Sequence, residues 1–178
     1  MPSDIREALQ GGNRTSVGQA ADIVDICLKS DLALDEVYSL FFDEDPVVVM
    51  RSSYVAMKVA EQQPKSVERF KAEILENLEN YKQQEIRWHI PQLLMHVELN
   101  DAERVRAYRE LMHWAETDAS KIVAYYCLPT AARIAQQDQS LMADFLPRLK
   151  ALNSIGAKSV SNRCKKIAKQ LKIDLDTL

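Results

Sequence analysis

With 178 residues, 47% of them hydrophobic and 28% charged, the chain is long enough to bury a core and ordinary in composition for a globular protein. Only 4 Gly and 6 Pro leave little room for strand-rich turns. No apolar run approaches the roughly 20 residues that cross a bilayer, which argues against a membrane protein. The net charge of −3 is uneven: residues 145–178 carry 8 Lys+Arg against 2 Asp+Glu, net +6, so the preceding 144 residues carry −9. An acidic body of that kind argues against general affinity for nucleic acid.

The N-terminus from Met1 to Arg6 is polar and has no apolar signal core behind it. The three cysteines, Cys27, Cys127 and Cys164, lie far apart without metal-type spacing. They read as buried thiols of a cytoplasmic protein. In chain order the pattern predicts a short N-terminal helix, a hinge at Gly11-Gly12-Asn13, and a helix near 17–29. Four helical pairs follow: 33–42 with 46–63, 66–80 with 84–99, 102–116 with 119–137, and 140–153 with 157–171. Their starts follow Ser30-Asp31, Asp45-Pro46, Pro64-Lys65-Ser66, Asn100-Asp101, Asp118, Asp138 and Ile155-Gly156, residues suited to caps and first turns. Connections of a few residues make consecutive helices antiparallel neighbours. The expectation is one all-α domain, 1–178, with an N-terminal cap over 1–32 and helical pairs at 33–63, 66–99, 101–137 and 139–172.

Two of the second helices echo each other. Trp88-His89-Ile90-Pro91-Gln92-Leu93-Leu94-Met95-His96-Val97 is answered by Tyr125-Tyr126-Cys127-Leu128-Pro129-Thr130-Ala131-Ala132-Arg133-Ile134, 37 to 38 residues later. That is the length of one two-helix repeat. On a helical wheel Ile86, Ile90, Leu93, Leu94 and Val97 form one face, and Trp88, Met95 and Leu99 a second, opposed face. Two opposed apolar stripes predict an inner helix buried on both sides.

Between those faces lie His89 and His96, seven residues apart and so on one side of the helix. The same register gives Arg51 and Lys58 one repeat earlier, then Tyr126 and Arg133, then Arg163 and Gln170. None of the eight is an acid. If the helices stack in parallel, the pairs line up as a ridge, a candidate site for an acidic or polar protein segment. Arg87, Trp88 and Trp114 are secondary candidates. A ridge that merely solvates the inner surface is the competing reading. His89 and His96 would also admit a protonation switch near pH 6.5.

The run Asp43-Glu44-Asp45-Pro46-Val47-Val48-Val49-Met50-Arg51 resembles the acidic turn and Val-Arg entry to the second helix of a HEAT repeat. Gln84-Glu85-Ile86-Arg87-Trp88-His89 resembles the same junction one repeat later. Over roughly residues 16–172 the chain is similar to small bacterial HEAT-like (armadillo-type) repeat proteins with no established activity. The resemblance implies a right-handed α-α superhelix, a solenoid of about four HEAT-like helical pairs with N-terminal capping helices. It also implies a protein-interaction scaffold without catalysis or cofactor, its protein partner unidentified. Val160-Ser161-Asn162-Arg163 is polar where a repeat would be apolar, as in a terminal cap.

Other chemistries are weakly signalled. His89 and His96 are about 10.5 Å apart along a helix axis, too far to share a zinc ion, so no metal site is expected. Cys127 lies in an apolar helix, and Ser52, Ser53 and Ser120 have no glycine-rich elbow, so no catalytic residue is assigned. The alternative function is nucleic-acid binding, with a DNA glycosylase for alkylated bases as its least favoured form. Trp114 and Asp118 would then serve as aromatic and carboxylate, although Asp118 reads better as an N-cap. The cluster Arg163, Lys165, Lys166, Lys169 and Lys172 reads as the solvated face of a capping helix, with a site for an acidic segment as the alternative.

Overall fold

The computed structural model describes residues 5–13, 15–175 and 177. Among them there are helices and turns and no strand. The chain divides into two compact units, Met1–Glu98 and Leu99–Leu178.

The first unit holds α1 (Ile5–Leu9), α2 (Ala20–Cys27), α3 (Asp31–Ser39), α4 (Pro46–Gln62), α5 (Lys71–Glu76) and α6 (Gln84–Leu94). Ser30 Oγ accepts from the Ala33 amide at the start of α3. Asp45 accepts from the Val47 amide at 2.8 Å, and Pro46 takes the first position of α4, where its missing N–H costs nothing. α4 packs against α2 on one flank and α6 on another. It buries 11 of its 17 residues, more than a single stripe, which identifies it as an inner helix. Under it lies an aromatic cluster: Tyr38 stacks on Phe70 with ring centroids 3.6 Å apart and tilts against Phe41 at 4.9 Å.

Two expectations are corrected here. The segment predicted as one helix over 66–80 is a 3-10 stretch at Pro64–Phe70, the short α5, and a 3-10 turn at Leu78–Asn80. Val67, Phe70, Ile74, Leu78 and Tyr81 are still buried at helical spacing. Asn77 breaks the run: its side-chain amide donates to the Glu73 carbonyl, a local bond that competes with helix continuation. Likewise α6 stops at Leu94 rather than 99. The amides of Met95 and His96 donate to the carbonyls of Gln92 and Leu93, tightening the last turn. The second apolar stripe drawn through Met95 and Leu99 is therefore not a face of α6, and Met95 is exposed.

The second unit holds α7 (Asp101–Thr117), α8 (Lys121–Ala135), α9 (Gln139–Ile155) and α10 (Lys158–Leu171). Asn100 and Glu103 form a reciprocal capping box at α7. Asp138 accepts from the amides of Ser140 and Leu141 at α9. Asp118 is not the N-cap of α8; it closes α7 and accepts from the amide of Ser120, the residue that holds the N-cap position of α8. α8 packs against α7, α9 and α10, so α8 and α10 are the stacked inner helices of this unit. At Gly156, between α9 and α10, a Cβ would lie 2.4 Å from the Leu152 carbonyl oxygen, so only glycine fits without a backbone shift. Trp114, Tyr108 and Phe145 are the largest side chains sealed in the core.

Candidate functional site

The register residues of the first unit meet different fates. Arg51 is only 3% exposed. Its Nη1 donates to the carbonyls of Leu9 and Gln10, and its Nε donates to the carbonyl of Ser16, each at 2.9 Å. Leu9, Gln10 and Ser16 thus close on a buried guanidinium on either side of the predicted hinge at Gly11-Gly12-Asn13. Gly18 sits against it with φ +53°, and a Cβ there would come within 2.8 Å of Arg51 Cζ. Arg51 is corrected from a partner-binding residue to the clamp of the N-terminal segment.

His89 is likewise inside, at 5% exposure. Trp88 Nε1 donates to His89 Nε2 at 2.9 Å, and His89 Nδ1 lies 2.8 Å from Ser53 Oγ. Indole can only donate, so Nε2 accepts and the neutral ring carries its proton on Nδ1. That proton points to Ser53 Oγ, and the Ser53 hydroxyl donates onward to the Val49 carbonyl at 2.8 Å. A serine beside a histidine resembles a nucleophile and its base, but here the histidine donates to the serine, the opposite of what activation needs. Burial, with the Lys58 charge second, pulls the His89 pKa down to about 3. The switch read for His89 near pH 6.5 is corrected accordingly.

Lys58 is half-buried, pairs with Glu61 at 2.7 Å and lies 5.8 Å from the centroid of the Tyr54 ring. His96 and Trp88 are half-buried, and half-buried Arg87 donates from Nε to the Tyr81 carbonyl. In the second unit Tyr126 and Arg133 are half-buried and Gln170 is exposed. Arg163 packs its guanidinium over the ring of Tyr125, 3.6 Å from Cζ to the centroid, and Tyr125 meets Tyr126 edge to face. Tyr125 is the residue that the register missed, because it precedes the register position by one. Trp114 is fully buried and is corrected from a secondary contact to a core residue. With Trp114 sealed and Asp118 turned to a backbone amide, the pair proposed for a glycosylase does not form a site.

The inner helices share a charge property. Of the 26 Asp+Glu in the chain, α4, α6, α8 and α10 together hold only Glu61 and Glu85, although they make up about a third of its length. Glu85 is buried, so only one exposed carboxylate interrupts these helices.

Among the described residues no group of three or more His, Cys, Asp or Glu is placed to hold a metal ion. The three thiols are buried, and burial pushes Cys27 up to about 12 and Cys164 to about 11. Neither is a thiolate near neutral pH. Among the described residues no helix is long and apolar enough to cross a membrane. No curated protein and no solved structure matches the chain. A model of the HEAT repeat domain matches residues 5–171, and the chain therefore belongs to the HEAT repeat family.

Proposed function

We propose that the chain is a non-catalytic protein-binding module that takes a polar or acidic protein segment on the exposed edges of its inner helices. HEAT repeat domains commonly mediate protein–protein contacts. The observation that carries the reading is the near absence of carboxylates from α4, α6, α8 and α10 in a chain whose net charge is −3. Surface charge of one sign steers partners of the other sign and sets specificity more than raw affinity. Each unit is taken by itself: the contact residues of the first are Lys58 and His96, with Arg87 and Trp88 as secondary candidates, and those of the second are Tyr126, Arg133, Arg163 and Gln170. Arg51 and His89 support these helices from within.

The test is capture of protein from cell extract by the immobilised chain, compared with a Lys58→Glu, His96→Glu, Arg133→Glu triple variant. The variant is expected to lose the captured species while keeping its helical circular dichroism. An unchanged set of captured proteins would remove the surface from consideration.

A further inference from the structure

We infer that the exposed face of α10 docks a short acidic protein segment bearing an apolar anchor; this rests on the protein-binding reading and names its partner class. α10 with its C-cap carries Lys158, Arg163, Lys165, Lys166, Lys169 and Lys172 and no acid. Among the described residues none of these six makes an ion pair. Several arginines elsewhere are engaged: Arg6 with Asp43, Arg69 with Asp31 and Asp35, Arg148 with Glu116 and Asp144. The helix dipole accounts for Lys169 in the last turn and Lys172 at the C-cap, but Lys158 in the first turn sits where the dipole disfavours a cation. The apolar stripe of α10, Val160, Cys164, Ile167 and Ala168, is buried in its own unit. What faces outward is therefore a positive surface whose cations have no ion-pair partner among the described residues.

Two features give this surface shape. Arg163 is held at one edge by the Tyr125 ring, and its Nε is buried without a hydrogen-bond partner. A stacked guanidinium loses less freedom on meeting a carboxylate than a free side chain does. At the opposite edge a groove of about 440 Å³ opens beside Lys165 and Lys169. Ala168, Ile173 and Leu175 supply its apolar lining, and among the described residues Asp174 is the one carboxylate on its rim. Such a groove seats one apolar side chain, while the lysines meet flanking carboxylates.

A nucleic acid fits less well. Tyr125 presents its ring to Arg163, so that face is closed to a base. A 14-residue helix is about 21 Å long, which matches a short segment, whereas a duplex carries a charge every ~1.7 Å and extends past it. The chain as a whole, at −3, repels a long polyanion.

The experiment is fluorescence anisotropy of the full chain with a labelled peptide of about fourteen residues, mostly Glu with interspersed Leu. A Gln-for-Glu peptide and single-stranded and duplex DNA of equal charge serve as comparisons. The Glu peptide is expected to bind, more tightly at about 50 mM than at about 300 mM NaCl. Lys165→Glu, Lys166→Glu, Lys169→Glu together should weaken it by at least about tenfold, and Arg163→Gln alone by roughly threefold. Lys29→Glu with Lys65→Glu, in the first unit, should leave affinity within about twofold. Absence of binding, an unaffected triple variant, or tighter binding of DNA than of the peptide would each overturn the assignment. If the peptide fails while capture that depends on Lys58, His96 and Arg133 persists, the α10 assignment falls alone; if both fail, the protein-binding reading falls with it.

Discussion

Arg51 shows how a residue's neighbours decide its role. Its register position follows from the repeat, but the segment covering it comes from Leu9, Gln10 and Ser16, about forty residues away in sequence. No periodicity on α4 carries that information. Arg51→Met is expected to destabilise the chain by about 2–4 kcal/mol, since it removes three hydrogen bonds from a charged donor and leaves carbonyls unpaired. Urea denaturation would show it as a lowered midpoint, and an unchanged midpoint would contradict the clamp. His89 was misread for a similar reason: the wheel shows direction on α6, whereas Ser53 and the Trp88 indole close over both ring nitrogens. Its pH signature follows. The folded-state pKa, about 3, lies below the unfolded value near 6.5, so the unfolded chain binds the extra proton between them. The stabilisation is complete above pH 6.5 and is lost as pH falls toward 3, with a slope of up to about 1.4 kcal/mol per pH unit. Carboxylates with lowered pKa values, such as Asp43 and Asp144, add their own loss only below about pH 4. Unfolding measured between pH 7 and pH 5 therefore isolates the histidine, and His89→Gln is expected to flatten the profile there. An unflattened slope would place His89 in a solvated site.

At the scale of the element, α3, α4, α7 and α9 were legible in the sequence to within a few residues because their starts are written in side chains. Ser30, Asp45, Asn100 and Asp138 each accept backbone amides where the first apolar periodic residue follows. The two places where the reading went astray, 66–80 and the end of α6, share a physical cause. Burial spacing of three and four residues is common to α and 3-10 turns, so Val67, Phe70, Ile74, Leu78 and Tyr81 predicted the right inward face and the wrong hydrogen bonding. What decides is local: the Asn77 side chain bonding back to Glu73, and i−3 amide bonds after Leu94. In the candidate site the same split holds. The repeat register proposes Arg163 and Tyr126, both on acid-free inner helices. It could not find Tyr125, whose ring carries the Arg163 guanidinium across from α8 to α10.

For the whole molecule the relevant quantity is the distribution of charge, since the total of −3 conceals it. The first unit carries 10 Lys+Arg against 17 Asp+Glu, net −7, and the second 13 against 9, net +4. Composition alone showed an uneven charge, but the structure shows that the cations of α10 make no ion pair among the described residues. Their field therefore reaches solvent. Screening limits that field to about 10 Å at 0.1 M salt, so a charged surface brought close to α10 senses the helix before it senses the net charge. A sulfonate resin tests this without any assumption about a biological partner. At pH 7 and about 20 mM salt the chain is expected to be retained despite its net negative charge, and to elute as salt rises. Replacing Lys165, Lys166 and Lys169 by Glu takes the net charge from −3 to −9 and removes the local patch, so that variant should flow through. Three Glu substitutions at exposed acidic-unit positions such as Lys29, Lys65 and Lys82 change the net charge equally but leave α10 intact. Retention of that second variant, against flow-through of the first, separates a local cationic surface from a bulk charge effect. If both flow through alike, the net charge governs and α10 offers no distinct surface.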